Sequence, residues 1–259
     1  MGSQSISNTK AAFFHLIGSV LVVGSVVMIC YFLWFPYPYN RMVAGMGLPG
    51  LVALVDIVCG PFLTFVVYKG NKSRRERVFD GLVIFVVQSL ALIYGISVMA
   101  GARPIYVVFE VDRFRVVAVN DVDQEQWGQA PEELRHPQWN GPKIIGVRPP
   151  RDAEELLDSV NLSLSGQEPS LRPGWWQLFD LNKNDALKKA RSISDLTKAR
   201  PEAIDLILEE VQRIQAKYGV ISDDILWLPL VSSRSAEWII FLEKSNLNPV
   251  GYLPVDGFL

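Results

Sequence analysis

Three apolar runs, each long enough to cross a lipid bilayer, occupy most of the first hundred residues and constrain everything else in the chain. They lie at about 11–35, 42–68 and 81–100. A hydrocarbon core of roughly 30 Å requires about 20 helical residues, so each run spans it with some tilt. The first run, from Ala11 to Phe35, has no side chain that carries charge near neutral pH except His15. A cleavable signal peptide has an apolar stretch of about 7–15 residues and a small-residue cleavage site. Here the run closes instead on Trp34, Phe35, Pro36, Tyr37, Pro38 and Tyr39, an aromatic group suited to the membrane–water interface. An uncleaved anchor is expected.

Charge divides the chain in the same place. Residues 1–101 carry seven basic and three acidic side chains, a net of +4. The remaining 18 basic and 24 acidic residues follow from 102 onward, a net of −6. A nucleic-acid binder would place its basic excess on the water-soluble part, so no nucleic-acid partner is expected. The two cysteines, Cys30 and Cys59, both sit in apolar runs and match no zinc spacing. The soluble part, with no cysteine, must be held by its core, and at about 158 residues it is large enough for that.

Orientation follows from the loops. Lys69–Gly–Asn–Lys–Ser–Arg–Arg–Glu–Arg77 holds five basic residues between the second and third runs, whereas 36–41 holds only Arg41. The positive-inside rule assigns the basic loop to the cytoplasm, which puts the N-terminus inside and the soluble domain outside. Asp56, near the middle of the second run, costs about 2.5–3.5 kcal/mol to insert and so should face protein or water. Gln88 and Ser89 of the third run lie at similar depth and are its candidate partners. Gly60 and Pro61 follow one turn later, and Pro61 removes a helical hydrogen bond at Ile57. Asp56, Gly60, Pro61 and Gln88 are therefore the candidate contact to another protein's membrane helix, with an internal contact between Asp56 and Gln88 or Ser89 as the alternative.

Catalytic constellations are not evident. Gly45–Met–Gly–Leu–Pro–Gly50 spells G-x-G-x-x-G but follows no strand and opens a membrane helix, so no dinucleotide site is expected. Of the two histidines, His15 lies in a membrane run and His136 precedes Pro137 in a loop. No catalytic residue, metal site or cofactor is expected, and the chain is read as a non-enzyme.

From 102 the pattern is that of a soluble α+β domain with a mainly antiparallel sheet. Ile105–Val111 and Phe114–Val119 form a hairpin, 120–142 is loop with at most one short helix, and Lys143–Val147 is a strand. Asp152 caps a helix over about 152–162, and two helices follow at about 183–199 and 201–217. The last of these starts at Pro201, carries Ile204, Ile207, Leu208, Val211, Ile214 and Tyr218 on one face, and stops at Gly219. Strands are expected at 225–231, 237–244 and 250–255, the last two joined by a turn at Ser245–Pro249. Trp175 and Trp176 are the candidate partner surface, with core or groove anchors as the alternative. The expected fold class is a membrane protein with three N-terminal transmembrane α-helices (residues 1–101) followed by that α+β domain (102–259).

Two stretches resemble a known family. Leu54–Val–Asp–Ile–Val–Cys–Gly–Pro–Phe–Leu–Thr–Phe–Val–Val–Tyr68 and Ala102–Arg–Pro–Ile–Tyr–Val–Val–Phe–Glu–Val–Asp–Arg–Phe114 are similar to the membrane signature and first strand of the TfpX/TfpZ type IV pilin accessory proteins. The ending Val250–Gly–Tyr–Leu–Pro–Val255 resembles theirs more weakly. The resemblance implies a multi-pass protein of the bacterial inner membrane with a periplasmic domain. It also implies a chaperone or assembly modulator whose partner is the major type IV pilin. A membrane-anchored sensor and an anchored envelope enzyme are the rival readings. The first needs a cytoplasmic output and the second a reactive constellation.

Overall fold

The computed structural model describes residues 2–44, 47–67 and 72–258, which form two compact units, 1–103 and 104–259. In the first unit, α1 (Gly2–Trp34), α2 (Gly47–Val67) and α3 (Arg74–Ala102) are long apolar helices. Each is long and apolar enough to cross a membrane, over Thr9–Trp34, Pro49–Val67 and Arg74–Ala102. A single π-helical turn, Asn40–Ala44, precedes α2. Tyr68, Lys69, Gly70 and Asn71, which belong to the expected helix end and basic loop, lie outside the described residues, as do Gly45 and Met46. What is described of that loop runs directly into α3. Ser73 caps the helix in a reciprocal capping box with Glu76, so Arg74, Arg75 and Arg77 stand in its first turn.

The three helices pack through small residues and aliphatic knobs. Val23, Val27, Trp34, Phe35 and Met99 are buried among Val52, Ala53, Ile57, Leu92 and Ile96. Gly95 of α3 lies so close to α2 that a Cβ there would collide with the Val52 side chain. Such close approach is how helices associate where lipid tails are as apolar as leucine. The outward faces carry Phe13, Phe14, Phe32, Phe85 and Tyr94, all exposed. Exposed aromatic and aliphatic surface on this scale suits a hydrocarbon solvent and would be a liability in water.

The second unit is built on one sheet: β1 (Pro104–Glu110), β2 (Arg113–Ala118), β3 (Lys143–Val147), β4 (Trp176–Leu178), β5 (Arg191–Ser192), β6 (Ile225–Val231), β7 (Trp238–Glu243) and β8 (Pro249–Leu253). Its order is β4-β3-β1-β2-β6-β7-β8, with β5 also paired to β6. The hairpins β1–β2 and β7–β8 are antiparallel as their alternation predicts. The sheet as a whole is mixed, which corrects the expectation of a mainly antiparallel one: β3 runs parallel to β1, and β6 parallel to β2. The cause is the connector after β2. Residues 119–134 form three 3-10 turns that lead to the far side of β1, where β3 begins, and the Tyr106 hydroxyl pins them by donating to the Leu134 carbonyl at 2.7 Å. Burial of that phenol pushes its pKa up to about 12.

The helices are α4 (Ala153–Leu164), α5 (Lys183–Lys189), α6 (Ile193–Ala199) and α7 (Ile204–Tyr218). The single helix expected over 183–199 is two, because Ala190–Ser192 is extended and Ser192 starts a new helix through a capping box with Asp195. Arg191 and Ser192 pair with Trp227 and Leu226 along the edge of β6 that β2 occupies further on. One core, centred on Ile207, Val211, Ile214, Trp227 and Phe241, lies between α7 and β6–β8. The other gathers Tyr106, Val108, Val117, Leu134, Ile145 and Trp176 around β1–β4. Of the face expected on α7, Ile207, Val211 and Ile214 are buried while Ile204, Leu208 and Tyr218 are exposed, and the helix stops as expected at Gly219, whose φ is 70°. The short β2–β6 ladder, Phe114↔Leu230 and Arg115↔Val231, joins the two halves.

Candidate functional site

Two places gather polar side chains in a way that packing alone does not require. The first is inside the helical unit. Asp56, Gly60 and Thr64 repeat every four residues and therefore share one face of α2. Gln88 of α3 meets that face, its amide donating to the Asp56 main-chain carbonyl at 3.2 Å. The Gln88 side-chain carbonyl lies 2.8 Å from His15 Nε2, and the other ring nitrogen of His15 pairs with the Thr64 hydroxyl. A Cβ on Gly60 would stand 2.6 Å from Gln88 Cδ, so glycine is what lets the amide reach across.

Asp56 is 3% exposed. Among the described residues its carboxylate has no hydrogen-bond or ion-pair partner; only its backbone is engaged by Gln88. Of the four residues expected at a membrane-helix contact, Asp56, Gly60 and Gln88 meet one another between α2 and α3. Polar groups in lipid turn to protein for partners, which drives that arrangement. Pro61 sits inside α2, and the helix runs through it. His15 and Thr64 complete the cluster, and only the i, i+4, i+8 spacing on α2 foreshadows Thr64. A cavity of about 400 Å³ leads to His15, Thr64 and Gln88 from Arg77 and Asp80. Lys72 neutralises Asp80 at 2.5 Å.

The second place is a cleft of about 660 Å³ in the soluble unit, lined by the tip of the β1–β2 hairpin, the loop after β3, α4, Trp175 and α5. The two neighbouring tryptophans behave oppositely. Trp176 is 2% exposed; it donates Nε1–H to the Ser170 carbonyl at 2.8 Å and packs edge-on against Tyr106 and Trp127. It belongs to the core, not to a surface, because its pairing with Val147 of β3 turns it inward. Trp175, one residue earlier, lines the cleft. Its ring is flanked by two guanidiniums, Arg148 at 4.4 Å and Arg172 at 4.7 Å from the centroid.

The cations around Trp175 are held differently. Arg148 makes a bidentate pair with Glu155 of α4, at 2.9 and 2.6 Å. That pair, with the Arg151 backbone N–H, holds the Glu155 carboxyl down at about 2. Arg172 is buried with no carboxylate bound to it. It donates to the Ser159 hydroxyl at 2.7 Å, its Nε has no partner, and burial lowers its pKa. Glu110, also buried, accepts from Ser170 N–H at 3.0 Å and pairs with Arg113 at 3.2 Å, while Arg115 pairs with Glu168. Among the described residues, no three His, Cys, Asp or Glu side chains come together as a metal site. Such a cleft offers aromatic, aliphatic, cationic and carboxylate contacts.

Residues 3–44, covering the first apolar helix and the aromatic loop after it, match the family described as fimbrial assembly protein FimB. The fimbrial assembly protein of serogroup E1 from Dichelobacter nodosus is 29% identical over 253 residues, 96% of this chain and 95% of that protein. The serogroup I protein of the same organism is likewise 29% identical, over 252 residues. The protein of serogroups C1 and C2 is 32% identical over 121 residues, 47% of this chain and 92% of its own length. No solved structure matches the chain. With three apolar helices, a mixed-sheet soluble unit and this similarity along nearly its whole length, the chain belongs to the fimbrial assembly proteins, the type IV pilus accessory family that its membrane signature points to.

Proposed function

We propose that this protein serves pilus biogenesis by holding the major pilin at the bacterial inner membrane and chaperoning its entry into the fibre. In this reading the N-terminus is cytoplasmic and the soluble unit periplasmic. The protein acts by binding, without catalytic chemistry. The observation that carries the reading is the joining of three bilayer-length helices to an acidic domain in a fimbrial assembly protein. The basic cluster at the start of α3 supports the orientation, since short loops rich in lysine and arginine stay in the cytoplasm. A subunit waiting in the membrane by an apolar helix with its head outside presents two surfaces, and a partner with both kinds of unit meets both.

Affinity purification of the tagged full chain from membranes of its host tests this. Major pilin is expected among the recovered proteins, and residues 1–103 alone should recover it at a level several-fold lower. Purification of the full chain without pilin contradicts the proposal.

A further inference from the structure

The cavity that ends on His15, Thr64 and Gln88 has a charged mouth and apolar walls. Arg77, Gly81, Ile84 and Gln88 recur every three or four residues, so one face of α3 runs along it. From Arg77 at the mouth to Gln88 at the floor is about 16 Å of helix. Ala11, Val67, Gly81, Ile84 and Phe85 are the walls. A Cβ added at Gly81 would meet nothing within 4 Å, so the space beside it is open. The floor offers no polar group in want of a partner. The Gln88 carbonyl takes the Nε2–H of His15, its amide donates to the Asp56 carbonyl, and the Thr64 hydroxyl pairs with His15 Nδ1. A ligand reaching down this cavity meets hydrocarbon on its way and satisfied groups at its end.

The charges at this end can be counted in full. Within residues 1–101 the acids are Asp56, Glu76 and Asp80, and Asp56 lies two turns beyond Thr64. Glu76 is held by the Ser73 N–H of the capping box, and Asp80 is neutralised by Lys72. Lys10, Arg74, Arg75 and Arg77 are exposed, and none has an ion-pair partner among the described residues. Five cations against two carboxylates leave an excess of positive charge around the mouth. A free phosphate or a nucleotide would use the cations and leave the walls unfilled. An acidic peptide would bring unpaired backbone groups between walls that cannot hydrogen-bond them. An amphiphile with an anionic head and a hydrocarbon chain uses both. In a bilayer, the level of basic residues at a helix end is the level of the lipid head groups.

We infer that this cavity binds an anionic phospholipid, with its phosphate at Arg77 and one acyl chain between α1, α2 and α3. The inference does not rest on the proposed binding of pilin. Such a lipid fills the space between the helices, and by binding only the folded form it stabilises the helical unit by mass action.

Native mass spectrometry of the purified full chain in detergent tests this, with equimolar phosphatidylglycerol and phosphatidylethanolamine of matched chains. The wild type is expected to retain phosphatidylglycerol several-fold over the zwitterionic lipid. Arg77→Ala should lower the phosphatidylglycerol adduct about fivefold, the weight of one cation at a membrane surface, and Arg77→Lys should restore most of it. Gly81→Leu keeps every charge and fills the cavity from a position where a Cβ is unobstructed, so it should abolish the adduct. Arg75→Ala removes the same charge beside the separate groove of Val78, Phe79 and Leu82, and should leave the adduct unchanged. Unchanged helical circular dichroism establishes that the variants are folded. Millimolar inorganic phosphate should not displace the lipid. Equal retention of the two lipids overturns the inference, and so does full retention of phosphatidylglycerol by the Gly81→Leu protein. Equal losses in the Arg75 and Arg77 variants would mean diffuse attraction to charge, and displacement by phosphate an anion site without a chain; either result contradicts it.

Discussion

Trp176→Ala is expected to lower the stability of the soluble unit by about 3–5 kcal/mol, the range for removing a buried aromatic side chain. Three losses combine in that figure. The ring fills the core beside Tyr106 and Trp127, at centroid distances of 4.9 and 5.6 Å. Its Nε1–H is the donor to the Ser170 carbonyl, and Ser170 is itself fully buried, so that oxygen would be left without a partner. Trp176 also sits on edge strand β4, which is only three residues long and has little else to fix it. Urea unfolding of the detergent-solubilised chain, followed by near-ultraviolet circular dichroism, gives the number. Trp175→Ala on the same apparatus should cost less, about 1 kcal/mol, because its partly buried ring lies between two guanidiniums and outside the two core clusters. Equal effects of the two substitutions would contradict the division between core and cleft.

The second large effect is expected in the helical unit. Gly60→Leu should destabilise the packing of α2 on α3 by about 2–4 kcal/mol, combining overpacking with lost interhelical hydrogen bonds. The space a side chain would take is filled by the Gln88 amide, and that amide joins His15 to the Asp56 backbone. Displacing it leaves an imidazole and a carbonyl in an apolar interior with fewer partners. Gly60→Ala should be milder, since the atoms it meets are the far end of a flexible side chain. Thermal aggregation of the purified chain in detergent ranks the three proteins. A Gly60→Leu protein as stable as wild type would show that the polar cluster does not hold the helices together.

How far this arrangement could be read from sequence depends on the range of the forces involved. The membrane helices are legible because 20 consecutive apolar residues are a local property, and so are the hairpins, whose alternation repeats every two residues. The place of α7 is legible for the same reason, with Pro201 opening the 3-10 turn that leads into it and Gly219 closing it. The break at Ala190–Ser192 is hidden by the good helix formers around it. Its one local sign is the S-x-x-D of Ser192 and Asp195, a weak capping pattern that the edge pairing to Trp227 makes decisive. The parallel pairings of β1 with β3 and β2 with β6 join strands far apart in the chain, where no turn residue records the partner. That is why a mixed sheet reads as an antiparallel one.

The candidate sites divide along the same line. Asp56 is conspicuous as a lone acid in an apolar run, but its surroundings depend on which faces of α1 and α3 meet α2. The sequence supplies Gln88 as a neighbour by depth alone; the link through His15 to Thr64 needs all three helices in place. Trp175 closes a 3-10 turn and Trp176 opens β4, so no single alternation in the sequence relates the two. Which one is buried is fixed by the register Trp176↔Val147, a long-range fact. The cleft itself is invisible beforehand, because the exposed stripe of α4 has the spacing of any amphipathic helix. Only the burial of Ser159 shows that the helix presents its apolar face outward.

Pilin held simultaneously by its membrane helix and its head requires the soluble unit to lie across the bilayer from the basic turn of α3. Fusing alkaline phosphatase or green fluorescent protein after Leu259 reports that directly. The account predicts active phosphatase and dark fluorescent protein in the same host. A fluorescent fusion with inactive phosphatase would place residues 104–259 in the cytoplasm, where no pilin head is available to bind.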